Sequence, residues 1–150
     1  MKNTKVFSKI MNNDNKLLYG YVGSFFEGLA GAGLNGKWGY INTENQVVIP
    51  IIYDYVDNFN EGLACVGLKK KCGFINPQNQ VVVPIIYDYV GDFSEGLARV
   101  RLKGKYGVVN KQGEVVIPII YDDVGDFSDG LAEVVVKGIT GIISRTRYTS

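Results

Sequence analysis

An all-β fold built from tandem 34-residue units is what this sequence predicts, and three observations predict it. The stretch Phe25-Phe26-Glu27-Gly28-Leu29-Ala30 returns at Phe59, Phe93 and Phe127, each time 34 residues on and without insertion. Turn signals such as Asn35-Gly36 and Lys103-Gly104 separate short apolar-patterned segments. Such pairs join antiparallel strands, because a type I′ turn needs positive φ at both central residues. Nineteen glycines and ten tyrosines among 150 residues suit short strands and tight turns rather than helices.

Each unit reads as a three-stranded β-meander. In the third, Leu97 to Leu102 is the first strand and Lys105 to Val109 the second, joined by Lys103-Gly104. The turn Asn110-Lys111-Gln112-Gly113 then leads into a third strand, Glu114 to Ile117. Pro118 is expected to end or kink it, because proline has no N–H for the ladder. Pro50 and Pro84 repeat this at the same spacing, as do Tyr53, Tyr87 and Tyr121. Upstream, Tyr19, Tyr21 and Val22 stand 34 residues before Tyr53, Tyr55 and Val56. The expected domain therefore spans 17–143, with units at about 25–58, 59–92, 93–126 and a partial 127–143. Residues 1–16 are read as an N-terminal cap or disordered segment, and 144–150 as a tail.

One such unit cannot bury its apolar face alone, so neighbours must stack. The expected arrangement is an open, solenoid-like array. A closed, propeller-like ring is the alternative, because the chain begins with a third-strand segment, Leu17 to Val22, and ends after a second strand. Those ends would also complete a unit in a neighbouring copy, giving self-association through terminal repeats. Thr140 in the aromatic position and the polar run from Ser144 to Arg147 read instead as a terminal cap.

The pattern Glu27-Gly28-Leu29-Ala30, Gly36-Lys37-Trp38-Gly39-Tyr40-Ile41, Val47-Val48-Ile49-Pro50 and Tyr53-Asp54 resembles the bacterial WG-repeat family. The likeness covers nearly the whole chain. Only the first unit keeps Trp-Gly; the others carry Cys72-Gly73, Tyr106-Gly107 and Thr140-Gly141. The resemblance implies a β-hairpin repeat and brings no catalytic residues with it.

Comparing the units with one another separates fixed positions from variable ones. Gly-Leu-Ala, the glycine after the aromatic, and the loop phenylalanines Phe25, Phe59, Phe93 and Phe127 recur. The glycines mark positive φ or close backbone approach, and the phenylalanines are expected to plug the seams between units. The turn at Lys103-Gly104 pairs Arg101 with Tyr106 and Arg99 with Val108, so these four side chains share one face. Its counterparts are Gly31, Gly33, Trp38 and Tyr40, then Cys65, Gly67, Cys72 and Phe74, then Glu133, Val135, Thr140 and Ile142. Two readings of this variable face stand. It is either a solvated surface or the surface on which repeat proteins recognise partners.

As a recognition surface, its candidate residues are Trp38, Tyr40, Phe74, Arg99, Arg101 and Tyr106. They suit a protein or peptide partner; alternatively, the aromatics are exposed stacking platforms for a carbohydrate or cell-envelope ligand. Trp38 is the candidate anchor, or else its ring covers the glycine backbone across the hairpin.

Composition narrows the function classes. Sixteen basic and fifteen acidic residues leave a net charge of +1, without the basic excess of a nucleic-acid binder. No apolar run is long enough to span a membrane as a helix. The polar start lacks a signal-peptide core, so the expected compartment is the cytoplasm, with export by another route left open. The absence of histidine removes Ser-His and Cys-His pairs and imidazole metal ligands. Cys65 and Cys72 are read as half-buried free thiols, standing diagonally across a hairpin at the limit of disulfide reach. Asp122, Asp123, Asp126 and Asp129 lack an EF-hand ligand series and are read as turn and loop caps. Lys69-Lys70-Lys71 is read as a solvated charge cluster at a hairpin tip. No enzyme activity and no cofactor are expected.

Overall fold

The computed structural model describes residues 20–144 and is all-β, with fifteen strands and no helix among those residues. The expected register before Gly20 and the tail after Ser144 lie outside the described residues. Hydrogen bonding sorts the strands into four antiparallel sheets in chain order. The first contains β1 (Tyr21–Phe26), β2 (Leu29–Leu34), β3 (Lys37–Asn42) and β4 (Val47–Tyr53). The second contains β5 (Tyr55–Val56), β6 (Ala64–Leu68), β7 (Lys71–Ile75) and β8 (Val81–Tyr87). The third contains β9 (Tyr89–Val90), β10 (Leu97–Leu102), β11 (Lys105–Asn110) and β12 (Val115–Tyr121). The fourth contains β13 (Asp123–Val124), β14 (Leu131–Val136) and β15 (Ile139–Ser144).

Complete sheets thus have four strands, where the sequence predicts three. The extra strand is the pair after the aspartate, such as Tyr55–Val56, which bonds to Gly67 and Val66 on the far side of β6. Two residues are too few to show an alternation. The sheets break at Asp54, Asp88 and Asp122, a different phase of the period from one counted at the phenylalanines.

Three of the four hairpin turns carry glycine where the turn geometry demands it. Asn35-Gly36, Lys103-Gly104 and Lys137-Gly138 all have positive φ at both positions, as expected for type I′. In the second unit Lys70, at φ 66°, holds the place glycine takes elsewhere, at a cost of roughly 1–2 kcal/mol for an L-residue in the left-handed region. The next turn is fastened by its first side chain: Asn110 Oδ1 accepts from the N–H groups of Gln112 and Glu114, at 3.0 Å each. Asn42 and Asn76 do the same.

Proline does not end the third long strand. β4 runs through Pro50 with a bulge: Tyr40 pairs with Ile49 and Trp38 with Tyr53, so extra residues bow out at the proline. The missing N–H falls where the ladder is already interrupted. The bowed backbone crosses the glycine of the aromatic-glycine pair. A Cβ on Gly107 would lie 2.6 Å from the Ile117 carbonyl oxygen, which explains why this position holds glycine in each complete sheet.

The sheets stack as an open array, each packing on the next: β4 on β6, β8 on β10, β12 on β14. The core is therefore a series of seams. Tyr40, Ile49, Tyr53, Phe59, Ala64 and Val66 fill the first, Phe74, Val83, Tyr87, Phe93, Ala98 and Val100 the second, and Val108, Ile117, Val124, Phe127, Ala132 and Val134 the third. Phe59, Phe93 and Phe127 are the expected plugs. Phe25 is not: it is 45% exposed, because among the described residues no sheet precedes its own.

Candidate functional site

The hairpin register places the variable face as the turns require. Arg101 pairs with Tyr106 and Arg99 with Val108; Gly33 pairs with Trp38 and Gly31 with Tyr40. Stacking then divides this face into two zones. Beside the hairpin tip, Trp38, Arg101 and Tyr106 are half-buried. One pair further from the tip, the next sheet covers the face.

Tyr40 and Phe74, expected to be exposed platforms, lie in that covered zone and are core residues at 0% and 4% exposure. Each meets the loop phenylalanine of the following unit edge-on, Tyr40 with Phe59 at 4.9 Å and Phe74 with Phe93 at 4.7 Å between ring centroids. The Tyr40 hydroxyl donates to the Asp57 carbonyl at 2.5 Å, and burial pushes its ionisation far up. In the third seam Val108 stands in the place of these rings and shares a core with Phe127.

Trp38 lies over Gly33, where a Cβ would come within 2.8 Å of the indole, so the ring occupies the space a side chain would take. Tyr21 meets it edge-on at 5.5 Å. The indole thus covers glycine backbone and keeps only part of its surface open. In the third sheet, the Arg101 guanidinium sits 5.8 Å over the Tyr106 ring, which in turn meets Tyr89. Arg99 reaches the seam. Its Nη1 donates to the Val124 carbonyl at 2.8 Å, and its Nη2 stands 3.7 Å from Asp126 Oδ1.

A pocket of about 300 Å3 opens there, between the third and fourth sheets. Arg99, Tyr89, Asp92, Ser94, Asp126 and Phe127 contribute to its wall. Arg99, Arg101 and Tyr106 thus share one surface, while Trp38 stands at the equivalent place two units earlier. The pocket was not legible in the sequence, because it forms between loops of different units.

Cys65 and Cys72 take the diagonal positions of their hairpin, opposite Phe74 and Gly67, with free thiols. Burial pushes the Cys65 thiol up, as does the neighbouring Cys72; burial also raises Cys72. Neither has the depressed value that makes a thiol a ready nucleophile.

The aspartates form a device the sequence reading missed. Asp54 pairs with Lys37 Nζ of its own sheet, and its other oxygen accepts from the Lys69 N–H in the next sheet's turn at 2.9 Å. Asp88 does so with Lys71 and Lys103, and Asp122 with Lys105 and Lys137. Two of the three residues in the Lys69–Lys71 cluster are therefore engaged at seams. A second tie crosses the loops, where Glu27 and Glu61 accept from the Gly62 and Gly96 N–H groups at 2.9 and 3.1 Å. The signal was the shared 34-residue spacing of Lys37, Asp54 and Lys69 and their counterparts.

Among the described residues no helix is long and apolar enough to cross a membrane. A comparison with curated proteins finds no match. The family model of the WG containing repeat matches four successive stretches, residues 16–38, 38–72, 73–106 and 106–138. With most of its length so matched, and the aromatic-glycine pair explained by the bowed strand above it, the chain belongs to the WG-repeat family.

Proposed function

We propose that this chain is a non-enzymatic module that binds or scaffolds a protein or peptide partner on the open zone of its variable face. Arg99, Arg101 and Tyr106 beside the seam pocket form the main contact, with Trp38 as a second point. One observation carries the reading: a fixed frame of turns, glycines and seams presents different chemistry at the same place in each unit. The third unit offers the Arg101 guanidinium over Tyr106 with Arg99 at the neighbouring seam, the first an indole over Gly33. Repeat arrays use such surfaces for recognition. The pocket lies at the small end of ligand pockets (roughly 300–1,000 Å3) and suits one inserted side chain of a partner. Half-buried thiols of raised pKa and a chain without histidine support the non-enzymatic part. The carbohydrate alternative loses Tyr40 and Phe74 as platforms, since both rings are in the core.

Peptides selected from a display library on the immobilised chain test this. Arg101→Ala and Tyr106→Ala are each expected to weaken the selected peptides about ten-fold, the effect of removing one interface anchor. Peptides that bind both variants as well as the parent would overturn the reading. So would an absence of peptide ligands together with glycan binding that shifts Trp38 fluorescence.

A further inference from the structure

The seams inside this chain have a repeating pair of mating halves. One half belongs to the hairpin of the earlier unit: a second-strand side chain (Tyr40, Phe74 or Val108) and the leucine of the first strand. The other half is the loop phenylalanine of the later unit. Phe93 and Leu63 share the second seam core, and Phe127 and Leu97 the third. In the internal seams these side chains are buried, except Leu29, which is half-buried.

At the two ends of the described array each half stands open. On the fourth sheet, Ile142 occupies the place of Tyr40, Phe74 and Val108 and is 69% exposed, and Leu131, the counterpart of Leu63 and Leu97, is exposed too. On the first sheet, Phe25 is the exposed loop phenylalanine, with Phe26 and Val22 beside it. The remainder of the first sheet's face, Ala30, Ala32 and Ile41, is buried, so the opening is confined to the part that meets a hairpin elsewhere. The loop tie is also present in halves. Asp129 holds the position of Glu27 and Glu61, and the Gly28 N–H that of Gly62 and Gly96. The fourth hairpin presents Ile139 to solvent as well as Ile142.

We infer that the occupant of both openings is a second copy of this chain, placed so that the β14–β15 hairpin of one copy packs against the Phe25 side of the next. The internal seams are the template: the same two surfaces already mate three times within one copy. The contact is heterologous, joining two different patches, so it propagates from copy to copy and yields linear oligomers. Phe25 enters over Ile142 and Leu131, and the Asp129 carboxylate accepts from the Gly28 N–H. This goes beyond partner recognition and uses none of Trp38, Arg99, Arg101 and Tyr106.

The test is sedimentation velocity of the 150-residue chain across a wide concentration range, with Phe25→Glu and Ile142→Lys variants. Both side chains are exposed, so neither change disturbs a seam core, and thermal melts check that each variant folds. The parent is expected to form a concentration-dependent series of dimers, trimers and longer species. Each variant alone is expected to remain monomeric, because one of its two surfaces is broken. Their equimolar mixture is expected to form one-to-one dimers and nothing larger, since Phe25→Glu keeps the hairpin surface and Ile142→Lys keeps the phenylalanine surface. A parent that stays monomeric at every concentration overturns the inference. So does association that either variant leaves intact, or a mixture in which the two monomeric variants fail to pair.

Discussion

The third and fourth sheets are written in the same 34-residue pattern and differ in what lies over them. In the third, Val108 and Leu97 are covered by Phe127 and its neighbours, and β12 bows over Gly107. In the fourth, Ile142 and Leu131 face outward, and among the described residues no strand pairs with β15 on its far side. The same residue types are core in one unit and surface in the other. A repeat position therefore has no burial of its own; it acquires one from the neighbour, as expected where each unit's stability is a sum of intrinsic and interface terms.

The phenylalanines make the sharpest test of that statement. Phe93 is 3% exposed and edge-on to Phe74, so Phe93→Ala opens a cavity across a seam and is expected to cost about 3–5 kcal/mol. Phe25→Ala removes the equivalent ring from an open surface and is expected to cost about 0.5 kcal/mol or less in dilute solution. Urea denaturation of both variants measures the difference. Equal losses would show that Phe25 is covered as its internal counterparts are, and the distinction between inner seams and ends would collapse.

The glycines give a smaller contrast. Gly107→Ala drives a methyl into the Ile117 carbonyl and Ile119, both within 2.6 Å of the new atom, and backbone cannot swing aside as a side chain can. A loss of about 3 kcal/mol is expected, at the upper end of overpacking. At Gly141 the nearest atom is Val134 Cγ2 at 3.9 Å, so Gly141→Ala should be neutral or slightly stabilising. Melting temperatures of the two variants check this, and a destabilised Gly141→Ala would mean that a bowed strand covers β15 after all.

The same contrast explains what was legible beforehand. Turn chemistry at Asn35-Gly36 and Lys103-Gly104 fixed the hairpin registers, and with them which side chains share a face, because those depend on local φ and on counting from the turn. What covers a face depends on residues 19 positions away, the separation of Tyr40 from Phe59 and of Phe74 from Phe93. Tyr40 and Phe74 were accordingly placed on the right face and assigned the wrong exposure, since Phe59 and Phe93 bury them from the following unit. The seam pocket and the aspartate ties were missed for the same reason. They join elements of adjacent units, and alternation within one strand carries no trace of them.

Those ties supply the smallest expected effect. Asp54, Asp88 and Asp122 each span a seam, and their carboxyls are held below the usual carboxylate range, first by the paired lysine and then by the next unit's turn N–H. A group whose folded pKa is depressed contributes stability that is fully present above its unfolded value, roughly pH 4, and is lost as pH falls through the folded value. The parent's melting temperature is therefore expected to decline below about pH 4. Asp88→Asn should melt below the parent at neutral pH, with the gap closing in acid. Because the pairs are exposed, added salt should narrow the same gap at neutral pH. A deficit in Asp88→Asn that persists unchanged in acid and in high salt would place the tie in the geometry of the turn hydrogen bond rather than in the charge.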